Sequence, residues 1–394
     1  MRYARLAVGL CCLYGVPALA SIEWETPQGS LKLYGDVEFN IDAASKKRQL
    51  TSIKTEATKD FDASDTERWD VNGRILIGLD GKRVLDNHNY AGFTVQPLAD
   101  LSGKMNLDDA AFFFGQENDW QLKLGRFEAY DMFPLGQDTF IEYSGNTAND
   151  IYDDGFGYIY MMKEARGRSS SGGSVQLVKE LGDFKFELNT MIKDGTTLFQ
   201  DSTYHGYKLE NDKNVVYLRP VVSWRNDDFA VAAAVESNVV KNAYGYYNEL
   251  GEWQDQSKRT GYGLSLSWNS AGDWSKVNDA VLVNFSSAYM DAEQEKDLTL
   301  GTNITWKNIS LGYIFAANDI KHFNPEYKTS GFLDTEGKYK IHTVNASYLI
   351  PNVMDMDNFN IYLGAYWSVL DRDENHGESN EDRYGARIRF KYFF

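Results

Sequence analysis

Between Leu31 and Asp42 apolar and polar residues alternate almost one by one. Leu31, Leu33, Val37, Phe39 and Ile41 fall on one face of an extended chain. Lys32, Tyr34, Asp36, Glu38, Asn40 and Asp42 fall on the other. A period of two marks a strand with one dry and one wet face. A half-buried strand of a soluble protein reads the same way, so repetition decides. Trp69, Val71, Ile75, Ile77 and Leu79 alternate with Asp70, Asn72, Arg74 and Asp80. Further alternating segments start near Tyr90, Asp109, Trp120, Ser174, Phe184, Asn214, Phe229, Gly261, Ala280, Leu298, Ile309, Lys338, Phe359 and Arg383. With the first two they make sixteen, and no helical pattern separates them. Most approach the roughly 9–11 residues that a tilted membrane strand needs.

The connections alternate too. Leu181 to Asp183, Arg225 to Asp228, Lys307 to Asn308 and Pro351 to Asn358 are short turns. Ala43 to Glu67, Asp194 to Lys213, Val239 to Lys258, Asn318 to Gly337 and Leu370 to Asp382 are long polar loops. Short turns at one end and long loops at the other is the asymmetry of an outer-membrane barrel, periplasmic against external. An even strand number places both termini on the short-turn side. Pro97 and Pro220 fall inside alternating segments, where a missing N–H hurts a closed ladder. A bulge or a strand end is expected at each.

The first twenty residues read as an export signal. Arg2 and Arg5 supply a positive start, Leu6 to Val16 an apolar stretch, and Ala18-Leu19-Ala20 a small-residue cleavage site. Both cysteines, Cys11 and Cys12, lie inside it. A mature chain starting near Ser21 then holds no thiol, which excludes disulfides, thiol catalysis and cysteine-bound metals. Without Arg2 and Arg5, 38 Lys and Arg face 57 Asp and Glu, a net charge of −19. Nucleic acid needs a basic footprint and is excluded as a partner. No later stretch approaches the roughly 18 uninterrupted apolar residues of a spanning helix. A chain that enters a bilayer without such helices must close its strands into a barrel, where every backbone group finds a partner. Aromatics at 14% suit the interfacial girdles of that architecture. The fold expected is all-β: one transmembrane antiparallel barrel of about sixteen strands over residues 21–394.

One connection breaks the pattern. Phe127 to Arg168 is far longer than its neighbours, and long structureless segments are usually functional or disordered. Nine aromatics between Phe127 and Tyr160 argue against disorder, and the barrel lumen is there for them to pack into. The last strand is also distinctive. Tyr384, Ala386, Ile388, Phe390, Tyr392 and Phe394 share one face, and Arg383, Arg387, Arg389 and Lys391 the other. It resembles the terminal strand of outer-membrane proteins, whose aromatic C-terminus the barrel-assembly machinery recognises.

Leu124-Gly125-Arg126, followed by Asp131-Met132-Phe133-Pro134 and then Asp138-Thr139, resembles the third external loop of the general trimeric porins. In that family the fifth strand ends in Gly-Arg, and the loop folds inward to narrow the pore. Its acids then face a cluster of wall arginines. Asn72 to Gly78 resembles the second-strand segment that supplies one arginine, here Arg74. Gly167-Arg168 before Gly172 to Val175 resembles the segment that supplies another, Arg168. The resemblance covers roughly Leu31 to Lys193 and the terminal strand. It implies an inward-folded loop over 127–168 and a homotrimer, although some sugar pores are monomeric. The chain departs from the family at Asp36, where a lysine is usual, and near Asp109 and Ala110, where an arginine is usual. Strand parity offers Arg219, Arg387 and Arg389 as replacement wall cations. The aromatic-rich loop is most similar to the raffinose-type glycoporins.

Together these features describe a passive pore for small hydrophilic solutes, with sugars or oligosaccharides preferred. Asp131, Asp138 and Glu142 are the candidate constriction acids, and Arg74, Arg168, Arg219, Arg387 and Arg389 the candidate wall bases. Tyr130, Phe133, Phe140 and Tyr143 are candidates for stacking on sugar rings, since aromatic faces suit a wet–dry boundary. Structural roles compete at every position. The acids could form salt bridges within the loop, and the aromatics could pack the loop to the wall. Asp36 and Glu38 could neutralise Arg387 and Arg389 across the closing strands. Arg126 points outward by parity, toward lipid or a neighbouring subunit.

A general ion and solute porin, a structural or adhesin barrel, and an outer-membrane hydrolase are the alternatives. A hydrolase needs a histidine with Asp or Ser partners. His88, His205, His322 and His376 lie in turns or loops and His342 faces lipid by parity, so no such constellation forms. Active import calls for about 22 strands, more than this length supports. No cofactor is implied. Asp60, Asp62, Asp65, Asp371, Asp373 and Glu374 are candidates for calcium or magnesium bridging to lipopolysaccharide, with a solvated loop surface as the default. The lipid bilayer is the remaining partner. Intact-mass measurement of the exported protein is expected to give a chain beginning at Ser21. A mass that retains Arg2 and Arg5 would remove the signal reading.

Overall fold

The computed structural model describes residues 21–45, 68–137, 139, 159–169, 171–199, 202–322, 324, 336–371 and 381–394. The export-signal reading of residues 1–20 lies outside them. Sixteen strands form one closed antiparallel sheet. They are β1 (Gly29–Ala44), β2 (Arg68–Val84), β3 (Asn89–Asp100), β4 (Met105–Gln116), β5 (Trp120–Arg126), β6 (Gly173–Leu181), β7 (Phe184–Lys193) and β8 (Val215–Arg225). Then follow β9 (Phe229–Asn238), β10 (Arg259–Asn269), β11 (Val281–Ala292), β12 (Glu295–Trp306), β13 (Ile309–Ile320), β14 (Gly337–Ile350), β15 (Phe359–Asp371) and β16 (Glu381–Phe393). Each strand pairs with its neighbour in sequence, and β16 pairs with β1. All sixteen correspond to alternating segments of the sequence.

The alternation becomes inside and outside. On β10, Tyr262, Leu264, Leu266 and Trp268 are 37–51% exposed, while Arg259, Ser265, Ser267 and Asn269 are at most 5% exposed. Exposed apolar residues outside and covered polar ones inside invert the arrangement of a soluble sheet. Such a surface suits hydrocarbon. No helix among the described residues is long and apolar enough to cross a membrane. The long connections all emerge at one end of the barrel. Two connections at that end, 101–104 and 293–294, are nevertheless short. At the other end the longest is 270–280.

The two prolines behave differently. The ladder between β3 and β4 shifts register between Val95 and Pro97, the bulge that a missing N–H invites. Pro220 corrects the expectation for the second site. It is neither a bulge nor a strand end, because β8 keeps a continuous register with β7 through Pro220↔Leu188. The cost falls on the β9 side, where pairing stops at Leu218↔Ser237 and resumes in the same register at Val221↔Ala234. Pro220 is exposed on the outer face, so its ring displaces nothing inside.

Closure concentrates at β1. One of its edges is shared end to end by two partners. A short strand, Ile22–Thr26, turns back on residues 29–33, and β16 takes residues 36–44. Between them Gly35 donates its N–H to the Phe394 carbonyl at 2.8 Å, and Phe394 donates back to Gly35 at 3.0 Å. A Cβ on Gly35 would lie 2.6 Å from the Phe394 ring and 2.2 Å from the Leu76 carbonyl. Gly35→Val is therefore expected to destabilise the barrel by about 1–3 kcal/mol, the usual cost of overpacking. A lowered thermal unfolding midpoint by circular dichroism would show it, and an unchanged midpoint would contradict the seam geometry.

Candidate functional site

The inner wall divides into sectors. A charged one lies at the closing seam, on β1, β2 and β16. Arg387 holds Asp42 through two hydrogen bonds, of 2.5 and 2.8 Å. Arg389 sits 3.4 Å from Glu38, Lys391 3.6 Å from it, and Arg74 3.5 Å from Asp36. Asn40 and Asn72 stitch the acids together, with Asn72 donating to Asp42 at 2.6 Å and Asn40 to Glu38 at 2.8 Å. Sequence parity placed Asp36 and Glu38 opposite Arg387 and Arg389. The register keeps only one of those pairs. Glu38 meets Arg389, while Arg387 takes Asp42 and Asp36 takes Arg74.

An uncharged row follows on β10 to β15. Ser267, Asn284, Asn303, Gly312, Asn345 and Tyr366 stand side by side at one level of successive strands. Ser267 and Asn284 are 2.5 Å apart, and Asn284 donates to Asn303 at 2.8 Å. Sequence reasoning weighed charges and aromatics and missed this row. Its signal was the serine and asparagine content of the polar faces.

The segment after β5 meets the wall at several places. Arg387 and Arg389 both donate to the Thr139 carbonyl, at 2.7 and 3.1 Å. Asn303 of β12 donates to the Pro134 carbonyl at 2.8 Å, and Ser347 of β14 to that of Gln137 at 2.6 Å. Arg259 of β10 holds Glu164 in a fork, with contacts of 2.6 and 3.1 Å. Tyr160 donates to Glu236 of β9 at 2.5 Å. Wall glycines receive its larger side chains. A Cβ at Gly261 would touch the Tyr160 hydroxyl, one at Gly263 the Met162 sulfur, and one at Gly301 the Phe133 ring, all within 2.5 Å. Glycine inside a strand often marks such a close approach. Met132, Phe133, Ile159, Tyr160, Met161 and Met162 thereby share one apolar cluster with Ala232, Ala234, Ala288, Ile314 and Ile341 of the wall.

The neck of the segment is a second ion network. Arg168 lies 2.9 Å from Asp108, 2.8 Å from Asp109 and 3.6 Å from Glu128. The Asp109 carboxylate thus stands where the resemblance led one to look for a cation. Arg166 lies 3.0 Å from Glu128. Burial works against the Glu128 charge, but Arg166 and then Arg168 hold its carboxyl down at about 2. Glu128 bridges Gly167 in an antiparallel pair, so close that a Cβ on Gly167 would lie 1.8 Å from the Phe127 carbonyl. Arg126 has its bonding partners within this chain. It donates to the carbonyls of Leu107 at 2.8 Å, Asp108 at 3.0 Å and Ser169 at 2.7 Å, holding the neck from outside.

Of the candidate acids, Asp131 accepts from the Phe133 N–H at 3.0 Å and lies 3.6 Å from Arg166. Asp138 and Glu142 lie outside the described residues, as do Phe140 and Tyr143. Arg219 is wholly buried, donates to the Tyr130 carbonyl at 2.9 Å and sits 3.6 Å from Glu236. Burial, with Asp131 and Glu187 nearby, pushes the Tyr130 hydroxyl up to about 12. Phe133 is 3% exposed and faces Gly301. The structure thus brings Arg387, Arg389 and Thr139 together, and separately Arg219 and Tyr130. Asp371 ends β15, and Asp60, Asp62, Asp65, Asp373 and Glu374 lie outside the described residues. Among the described residues, no group of three or more His, Cys, Asp or Glu is placed to hold a metal ion.

Comparison with known proteins agrees with this architecture. The family model described as porin-like glycoporin RafY matches residues 33–394. A search of curated proteins gave no match. Among solved structures, the outer-membrane channel DcaP of Acinetobacter baumannii superposes with a TM-score of 0.57 at 13% identity, over 94% of this chain and 99% of that one. The anion-selective porin from Comamonas acidovorans gives 0.55 at 14% identity, over 93% and 100%. OprB of Pseudomonas putida gives 0.55 at 8% identity, over 92% and 94%. Identities this low speak for the fold alone. The family match spans nearly the whole barrel, and the chain belongs to the porin-like glycoporin RafY family of outer-membrane channels, not to a family of enzymes.

Proposed function

We propose that the protein is a passive diffusion pore for small hydrophilic solutes, with oligosaccharides as preferred cargo, narrowed by the segment 127–168. One observation carries the constriction. The described parts of that segment bond to β16 through Thr139, to β12 through Pro134 and to β9 through Tyr160. Ties to such distant parts of the ring support the reading that the segment folds into the lumen. The sugar preference rests on the family description and on the wall chemistry. Hydroxyls and amides exchange hydrogen bonds with a solute without the tight hold of a net charge, as conduction requires. The homotrimer rests on the resemblance to trimeric porins, and the contact with lipopolysaccharide on the acidic external loops.

The test is conductance of the purified protein in a planar bilayer, with and without oligosaccharides. Steady conductance blocked by sugar is expected. Conductance insensitive to sugar would leave a general porin, and no conductance would sink the pore.

The constriction has its own test. Arg387→Gln with Arg389→Gln removes both donors to Thr139 and leaves Asp42 and Glu38 without their guanidiniums. Buried pairs broken in this way typically cost about 3–5 kcal/mol, so circular dichroism must first show a folded barrel. Larger conductance and a shift toward cation selectivity are then expected. An unchanged channel would remove the seam arginines from the constriction.

A further inference from the structure

Toward the short-turn end, the inner faces of β1 to β4 carry aromatic rings laid on glycines. Tyr34 of β1 lies over Gly78 of β2, where a Cβ would come between 2.4 and 2.8 Å of three of its ring atoms. Phe113 of β4 lies over Gly92 of β3, where a Cβ would come within 2.6 Å of its ring. Glycine inside a strand often marks such a close approach. A ring seated in this way turns one face to the backbone and the other to the lumen. Both rings are half-buried. Phe133 and Tyr160 of the segment 127–168, which pack that segment to the wall, are 3% and 0% exposed. Tyr90 of β3 stands beside Phe113, with ring centres 6.2 Å apart.

Polar groups occupy the wall between the two rings. Gly92 pairs with Lys82, four residues along β2 from Gly78. At about 3.4 Å per residue and 4.8 Å per strand, the two seats are roughly 14 Å apart, the span of a short oligosaccharide. Asp80, paired with Thr94, lies midway. The Tyr34 hydroxyl donates to Asp80 Oδ1 at 3.1 Å, and Thr94 to the same oxygen at 2.5 Å. Oδ2 takes part in neither bond. Gln96 donates to the Tyr34 hydroxyl at 2.8 Å, and Gln121 to that of Tyr90 at 3.0 Å.

We propose that Tyr34, Phe113 and the Asp80 carboxylate between them form a carbohydrate subsite on the inner wall. The inference rests on the sugar-pore reading and names where the sugar is held. A pyranose has C–H groups on its faces and hydroxyls around its rim. Aromatic faces suit the first. A carboxylate suits the second, since hydrogen bonds to an ionised acceptor are stronger than neutral ones. Ring, carboxylate and ring follow one another along this stretch of wall, so one chain of sugars meets all three. Asp80 and Gln96 fix the Tyr34 hydroxyl from two sides, and a ring already in place loses little freedom on binding. The bonds to Pro134, Gln137, Thr139 and Tyr160 come from β12, β14, β16 and β9, away from these rings. The subsite is therefore a separate feature from the candidate constriction.

The experiment is current recording from the full mature protein in planar bilayers, with raffinose as the blocking sugar and a polyethylene glycol of similar length as the control. Tyr34→Leu with Phe113→Leu keeps apolar bulk and removes both rings. Raffinose block is expected to weaken roughly tenfold, about the worth of two stacking contacts. Open-channel conductance and the glycol response are expected to match wild type. Tyr34→Phe keeps the ring and is expected to keep most of the block. Asp80→Asn is expected to weaken block severalfold. Where circular dichroism shows the double variant unfolded, Phe113→Leu alone is expected to give a smaller loss in the same direction. Unchanged raffinose block in a folded leucine variant overturns the subsite and leaves the sugar pore intact. Equal loss of the raffinose and glycol responses overturns it as well, because pore width and not a sugar site has then changed. Steady wild-type conductance without raffinose block would overturn the sugar reading and the subsite with it, and absence of conductance would overturn the pore.

Discussion

Every N–H and C=O that enters hydrocarbon must find a partner within the protein. The rest of this structure depends on that constraint. An open sheet leaves two edges unpaired, so the sheet must close, and closing requires β1 and β16 to meet although the whole chain lies between them. The meeting is secured twice. The backbone ladder continues past the last strand through Gly35 and Phe394, and the short strand Ile22–Thr26 covers the rest of the β1 edge. The side chains add the bonded pair of Asp42 with Arg387. Bulges and prolines are tolerated only where the ladder keeps a partner on at least one side, as at Pro97 and Pro220.

Closure also decides where charge goes. With the outer face given to lipid, polar residues have only the lumen, and there they come under mutual control. At the seam each guanidinium has a carboxylate on the neighbouring strand. Paired in this way, these groups are weak sources of field across the lumen. The row from Ser267 to Asn345 has no formal charge at all, and within it Asn284 links Ser267 to Asn303.

A barrel of sixteen strands encloses more space than side chains alone fill, and here described residues of the connections pack against its wall. Alanines and glycines on the inner faces of β9 to β13 make room for Phe133, Tyr160 and Met162. Buried carboxylates hold the backbone and side chains that arrive, as Glu236 holds Tyr160 and Ala165. Arg259 of β10 bonds both Glu164 of that segment and Tyr204 of the connection after β7. The described parts of the segment after β5 are tied to the wall at residues from widely separated strands.

The sequence by itself determined the strands and their faces. Period-two alternation is local, and a side chain's face follows from its parity, so sixteen segments, the inner position of Arg74, Arg387 and Arg389, and the length of the segment after β5 were all legible. Register was not. Which acid meets which arginine depends on how far neighbouring strands slide, and that slide is set by closure of the whole ring. Asp36 therefore went to Arg74, and Arg387 to Asp42. The contacts of Arg126, the glycine hollows under Phe133 and Tyr160, and the reach of His205 to Glu295 were equally hidden. Each joins residues tens to more than a hundred positions apart, on elements whose spacing exists only once the barrel has closed. Alternation fixes what each strand shows to the lumen, and only the closed ring decides what stands opposite it.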